Sequence, residues 1–212
     1  ACHCSALRRG IFGLRLLMLM AARPGLTQFG WSDIGARDMM DLNGVTALVT
    51  GAGSGMGAAT AKALAKRGAR VAVVDLNLES AQQTADSIKG LALSADVSSG
   101  ESVEAALQHV VDELGAPRVV VSCAGIAAAS RIVGREGPHE LDLYQRVINV
   151  NLVGTFNVLR LTAERMSTLD PVSDSGARGV IVNTASVAAY DGQIGQAAYS
   201  SSKGGVVALT LP

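Results

Sequence analysis

Tyr199 and Lys203 stand four residues apart, so on a helix their side chains share one face. Ser186 lies thirteen residues before Tyr199, just past an apolar run from Gly179 to Thr184 that reads as a buried strand. A strand end and the helix after it can bring a hydroxyl, a phenol and an ammonium into one cleft. A free phenol titrates near ~10 and is a poor base at neutral pH. A neighbouring cation favours phenolate, so Lys203 beside Tyr199 would make a proton-transfer pair. Taken alone, the same spacing also describes an ordinary helix face with one Tyr and one Lys.

The upstream glycines weigh on that choice. Gly51, Gly55 and Gly57 follow a β-branched run, Val45 to Thr50, and open a helical pattern that continues to Arg67. In that setting glycines let the backbone approach a pyrophosphate, and the helix N-terminus offers N–H groups and a positive dipole end. A plain strand–helix turn would use glycine as well. Asp75 closes the next strand, eighteen residues after Gly57. A carboxylate there can accept both adenosine ribose hydroxyls and would repel a 2′-phosphate. Leu76, Asn77 and Leu78 follow it, with no Arg or Lys, so the expected cofactor is NAD rather than NADP. The other use of Asp75 would be to cap a helix.

Strand-like and helix-like segments alternate from Leu42 onwards. Strands are expected at Ala69–Asp75, Leu91–Val97 and Arg118–Cys123, and at Gly179–Thr184. Helices are expected at Glu79–Lys89, from a Ser98/Glu101 capping box to Leu114, at Leu141–Met166, and around Tyr199. Residues 126–140 and 169–178 read as loops. The pattern predicts a single α/β domain, a doubly wound parallel sheet of the Rossmann kind, with strands ordered third, second, first, fourth, fifth. Strands that are apolar on both faces fit a sheet covered on both sides.

Composition narrows the classes further. The 212 residues suit one domain and carry 18 basic and 18 acidic side chains, so no excess of positive charge points to nucleic acid. Cys2, Cys4 and Cys123 make no disulfide framework and fit a reducing compartment. Cys2-His3-Cys4 lacks a second ligand pair at finger-like spacing, so no metal site is expected. Residues 1–40 differ in character: arginines flank the apolar run Leu14–Ala22, and no acid precedes Asp33. The run is too short to span a bilayer. A transit peptide, a signal-like segment or a leader before the true start all fit, and a disordered or cleavable leader is expected rather than a membrane anchor. The domain proper is then 41–212.

With these residues in view, the chain resembles the short-chain dehydrogenase/reductase family. The matching positions are Thr50-Gly-x-x-x-Gly-x-Gly57, Asp75, Asp96-Val97, Ala124-Gly125, Asn149-Val-Asn151, Ser186 and Tyr199-x-x-x-Lys203, in the family's order and spacing. Cys123-Ala-Gly-Ile-Ala, Gln145-Arg-Val, Asn151 through Val158 and Gly179 through Gly205 resemble one subgroup in particular. These are the short-chain 3-hydroxyacyl-CoA dehydrogenases of type 2, also described as 17β-hydroxysteroid dehydrogenases type 10. The resemblance implies Tyr199 as general acid or base, Lys203 as holder of the nicotinamide ribose, and Ser186 as the group orienting the substrate oxygen. It implies Asn151 as anchor of a relay water. Asp96 and Val97 would meet the adenine. Ser54, Met56, Cys123, Ala124 and Gly125 would line the cofactor. Cys123 stands where the wider family commonly has Asn, so Ser122-Cys-Ala-Gly125 departs from the usual motif. It is expected to pack under the cofactor as a small apolar group.

Hydride transfer between NAD and a 3-hydroxyacyl-CoA or related secondary alcohol is the implied activity, with a homotetramer as the implied assembly. A carrier-protein 3-oxoacyl-thioester reductase using NADPH is the alternative, as is a fragment serving only in binding or assembly. The family continues well past the Tyr199 helix with further strands and a substrate lid, so the C-terminal strands are expected to be missing here. The expected compartment is the cytoplasm, or the mitochondrial matrix if residues 1–40 are a transit peptide.

Overall fold

The computed structural model describes residues 14–18, 40–135 and 137–210. Five short strands are built from consecutive apolar residues: β2 (Thr46–Thr50), β3 (Arg70–Asp75), β4 (Leu91–Ser94), β5 (Val119–Ser122) and β6 (Gly179–Asn183). All neighbouring pairs are parallel, and these five lie in the order β4-β3-β2-β5-β6, as expected. Parallel pairing requires a crossover each time. The crossovers are α1 (Gly55–Lys66), α2 (Leu78–Asp86) and α3 (Gly100–Leu114), and the long segment formed by α4 (Leu141–Ile148) and α5 (Gly154–Ser167). Helix α6 (Ala197–Leu209) follows β6.

Alternation along the strands supplies two cores. Leu48, Val74, Val120 and Ile181 face one side and pack with Leu107, Val110, Val158 and Met166 of α3 and α5. Ala47, Val49, Val71, Val73, Val119 and Val121 face the other and pack with Ala61 of α1 and Ala81 and Ala85 of α2. A sheet buried on both faces needs apolar residues at both parities, which is why the strands show no polar alternation.

One strand was not foreseen. Leu14–Met18, within the segment expected to be a leader outside the domain, forms β1 and pairs parallel with β6, in register from Leu14↔Gly179 to Met18↔Asn183. The free edge of β6 offers unpaired backbone groups to any extended apolar segment. Residues 1–13 and 19–39 of that segment, Cys2-His3-Cys4 among them, lie outside the described residues. No helix among the described residues is long and apolar enough to cross a membrane.

Two local expectations are corrected. The cap of α3 is Ser99, whose side chain accepts from Ser102 N, and not Ser98. Ser98 instead donates its N–H and hydroxyl to Asp96 Oδ1. The 141–166 helix is also not uniform: Asn149–Val153 is a π-helical turn between α4 and α5. Such turns widen a helix locally and re-aim one side chain.

Candidate active site

In the sheet β2 lies between β3 and β5, so connections leave it in opposite directions, and a crevice opens at the strand ends there. The crevice is a cleft of about 390 Å³. Gly51, Ser54, Gly55, Met56 and Gly57 line one part of it; Asp75, Asp96 and Val97 line another; Cys123, Ala124 and Gly125 line a third. These are all the residues expected to bind cofactor except Tyr199 and Lys203.

Close backbone packing explains the glycines. A Cβ on Gly51 would lie 2.6 Å from Ala124 N, and Gly51 has φ +63. A Cβ on Gly57 would lie 2.1 Å from Gly51 O, so only Gly lets α1 start so close to the turn. Ser54 is the N-cap of α1 but makes no side-chain cap bond, and no acid stands in the first turn. The helix therefore presents its N-terminal N–H groups to the cleft without a protein anion in the way, an arrangement that fits a pyrophosphate.

Asp75 is half-buried and already engaged. Its Oδ2 accepts from Gly53 N at 2.9 Å and its Oδ1 from Asn77 N at 3.0 Å. The carboxylate thus fastens the glycine turn to the end of β3, a part that sequence reading did not assign to it. Across the cleft, Cys123 is the free cysteine among the described residues and receives a long contact from Thr184 Oγ1, at 3.6 Å.

Lys203 is buried, at 6% exposure, although it carries an ammonium. Its Nζ donates to Thr184 O at 2.6 Å and lies 5.8 Å from the centroid of the Tyr199 ring. Burial holds its pKa below the ordinary lysine value, with the neighbouring Cys123 pulling the other way. Gly125 is where these side chains meet the cleft: a Cβ there would sit 3.1 Å from Asn151 Oδ1 and 4.0 Å from Lys203 Nζ. Ser186 lies past β6 as N-cap of a short 3₁₀ turn, Val187–Ala189, and its Oγ accepts from Ala188 N at 3.2 Å. That bond leaves the Ser186 O–H proton available to another acceptor. Tyr199 stands in the first turn of α6, half-buried.

Asn151 is fully buried within the π-helical turn. Its Oδ1 accepts from Ile126 N at 2.8 Å; its Nδ2 donates to Ile126 O at 2.9 Å and to Ser202 Oγ at 3.0 Å. Both amide hydrogens are used, so the side chain clamps the segment after Gly125 and leaves only Oδ1 capacity for a water. Sequence reading missed Ile126, Ser202 and Thr184 in this arrangement. Only the short spacing Tyr199-Ser-Ser-Ser202-Lys203 hinted at Ser202. Among the described residues there is no cluster of three metal-ligating side chains.

A parallel doubly wound sheet with a glycine-lined crevice at its switch point defines a dinucleotide-binding α/β protein. The chain belongs to the short chain dehydrogenase family, which it matches over residues 45–211. It is 49% identical over 175 residues to the 3-hydroxyacyl-CoA dehydrogenase type-2 of Bos taurus, covering 81% of this chain and 67% of that protein. A solved 3-hydroxyacyl-CoA dehydrogenase type-2 from Mycobacterium avium superposes with TM-score 0.74 at 37% identity, over 81% of this chain and 68% of that one. A structure described as ribose-5-phosphate isomerase from Brucella melitensis superposes with TM-score 0.70 at 35% identity, over 80% of this chain and 62% of that one. The chain thus spans about two thirds of the length of the curated relatives it matches. One fold serves different chemistries, so activity resides in the site and not in the fold alone.

Proposed function

We propose that the chain is an NAD-dependent oxidoreductase interconverting a 3-hydroxyacyl-CoA, or a related secondary alcohol, and its 3-oxo form. The observation that carries this is the meeting of the glycine cleft, at Gly125, with buried Lys203 and Asn151. A bound nicotinamide supplies the hydride acceptor. In the oxidation direction the Tyr199 oxygen takes the proton of the substrate hydroxyl. Ser186 donates its O–H to the substrate oxygen, its proton being free while one lone pair serves Ala188 N. Lys203 uses one N–H on Thr184 O and has two left for ribose hydroxyls. Asn151 holds the loop behind them. The acyl-CoA substrate is supported by the names of the relatives at 45% to 49% identity.

Asp75 supports NAD over NADP, because a 2′-phosphate would face its carboxylate and no Arg or Lys follows at residues 76–78. Titration with both reduced cofactors checks this: tighter NADPH binding would favour the carrier-protein reductase. Tyr199→Phe tests the chemistry, since it removes only the phenolic oxygen. NADH binding should survive while turnover falls by about 10²–10⁴. Wild-type turnover in that variant would end the mechanism. NADH binding by the unaltered chain without turnover of any 3-hydroxyacyl thioester would leave a binding role alone. The same reading includes self-association, as a homotetramer, through the α4–α5 segment. Leu141 (65%), Val153 (43%) and Phe156 (51%) are exposed there.

A further inference from the structure

At its adenine end the cleft wall is held from behind. Val97 is 7% exposed, and its carbonyl accepts from Asn157 Nδ2 at 3.0 Å. Asn157 is buried, at 4% exposure, and its Oδ1 accepts from Arg160 Nε at 3.0 Å and Arg160 Nη2 at 2.7 Å. Two cationic donors on one oxygen settle which way the amide faces: oxygen to Arg160, nitrogen to Val97. Gly154 lets the helix come this near, since a Cβ there would lie 2.6 Å from Val97 Cγ2. Gly154, Asn157 and Arg160 are spaced by three and share the helix edge that meets Val97. Asn157 and Arg160 do not themselves line the cleft. A buried amide costs desolvation that an apolar side chain would not. What this one accomplishes is a fixed Val97 carbonyl. Asn151, six residues earlier on the same helical run, fixes Ile126 near Lys203 in the same manner.

We propose that Asn157 and Arg160 are positioning residues for the adenine end of the cofactor. They hold the Asp96–Val97 wall at the place a purine ring requires, without touching the ring. The inference rests on the dinucleotide reading of the cleft given above. Asn157→Asp is the sharpest variant: it keeps the shape and the Arg160 contact but sets an oxygen against Val97 O where a donor stood. Arg160→Met, at an exposed position, frees the amide without opening the core.

The experiment titrates the full chain and both variants with NADH, with ADP-ribose, and with reduced nicotinamide mononucleotide, which has no adenosine. Asn157→Asp should weaken NADH and ADP-ribose about tenfold, the loss of roughly one buried hydrogen bond, while the mononucleotide changes less than about twofold. Arg160→Met should show the same selectivity with a smaller loss, and it decides alone if Asn157→Asp does not fold. Wild-type NADH affinity in the variants, or an equal loss for the mononucleotide, would overturn the proposal and leave the cofactor reading intact. An unaltered chain that binds neither NADH nor ADP-ribose would overturn both.

Discussion

Asp75 serves the turn and the cleft at once. Its two oxygens accept from Gly53 N and Asn77 N, and the same carboxylate faces the cavity. Asp75→Ala should therefore lower NADH affinity by about 1–3 kcal/mol, by removing a charged acceptor and loosening the glycine turn together. Unchanged NADH titration would refute the role. Lys203 offers a second test at this scale. Burial disfavours its ammonium, so its folded-state pKa lies below the unfolded-state value. Below the folded-state pKa both states hold the proton, and the folded state bears the whole desolvation cost. As pH rises through the folded pKa the native chain sheds the proton first, so this residue's contribution to stability rises with pH. Urea midpoints followed from neutral to alkaline pH should show that rise in the unaltered chain and less of it in Lys203→Met. Parallel curves would contradict the assigned cause.

At the scale of elements, the glycine turn is held by contact rather than by propensity. Gly57→Ala would place a methyl 2.1 Å from Gly51 O, and α1 would have to move outward. A loss of about 1–3 kcal/mol in unfolding free energy is expected, typical of overpacking, with weaker NADH binding besides. A variant as stable as the parent would mean that α1 is free to shift. Helix α3 depends on a different device. Ser99→Ala should cost about 1 kcal/mol in chemical denaturation, whereas Ser98→Ala should leave the α3 cap unchanged. The π-helical turn has the largest consequence of the three. It sets Asn151 against Ile126 and Ser202 while α5 carries Asn157 to Val97, so one helical run braces two parts of the cleft.

For the molecule as a whole, the parallel sheet dictates where chemistry can occur. Strands that all run one way put their C-terminal ends on one rim, and the reversal of order beside β2 opens that rim into a crevice. The side of β6 away from β5 is taken by Leu14–Met18, so β1 and β4 are the outer strands of the sheet. The exposed side chains along α4–α5 belong to this scale too. Sedimentation of the chain should show association, and Phe156→Glu should reduce it; a clean monomer at all concentrations would count against assembly through this face.

The local alphabet of this protein determined a good deal by itself. Apolar runs punctuated by glycine made the five strands of residues 46–183 and their order legible, because parallel βαβ units leave few other topologies. Gly51, Gly55, Gly57 and Asp75 were legible as the lining of one crevice, because a strand that turns tightly into a helix admits few residue types. Tyr199 and Lys203 were legible because four residues make one helical turn. Other features depended on neighbours distant in sequence. The clamp of Asn151 joins residues 25 and 51 positions apart, and the Asn157–Val97 bond spans 60. Neither leaves a periodic trace, since a buried amide reads like any other Asn until its partner is placed beside it. The burial of Lys203 and its bond to Thr184 O likewise arise only when α6 packs against α4 and the π-helical turn, beside the end of β6. The pairing of Leu14–Met18 with β6 is decided by an open sheet edge, a property of the assembled sheet and of no local segment.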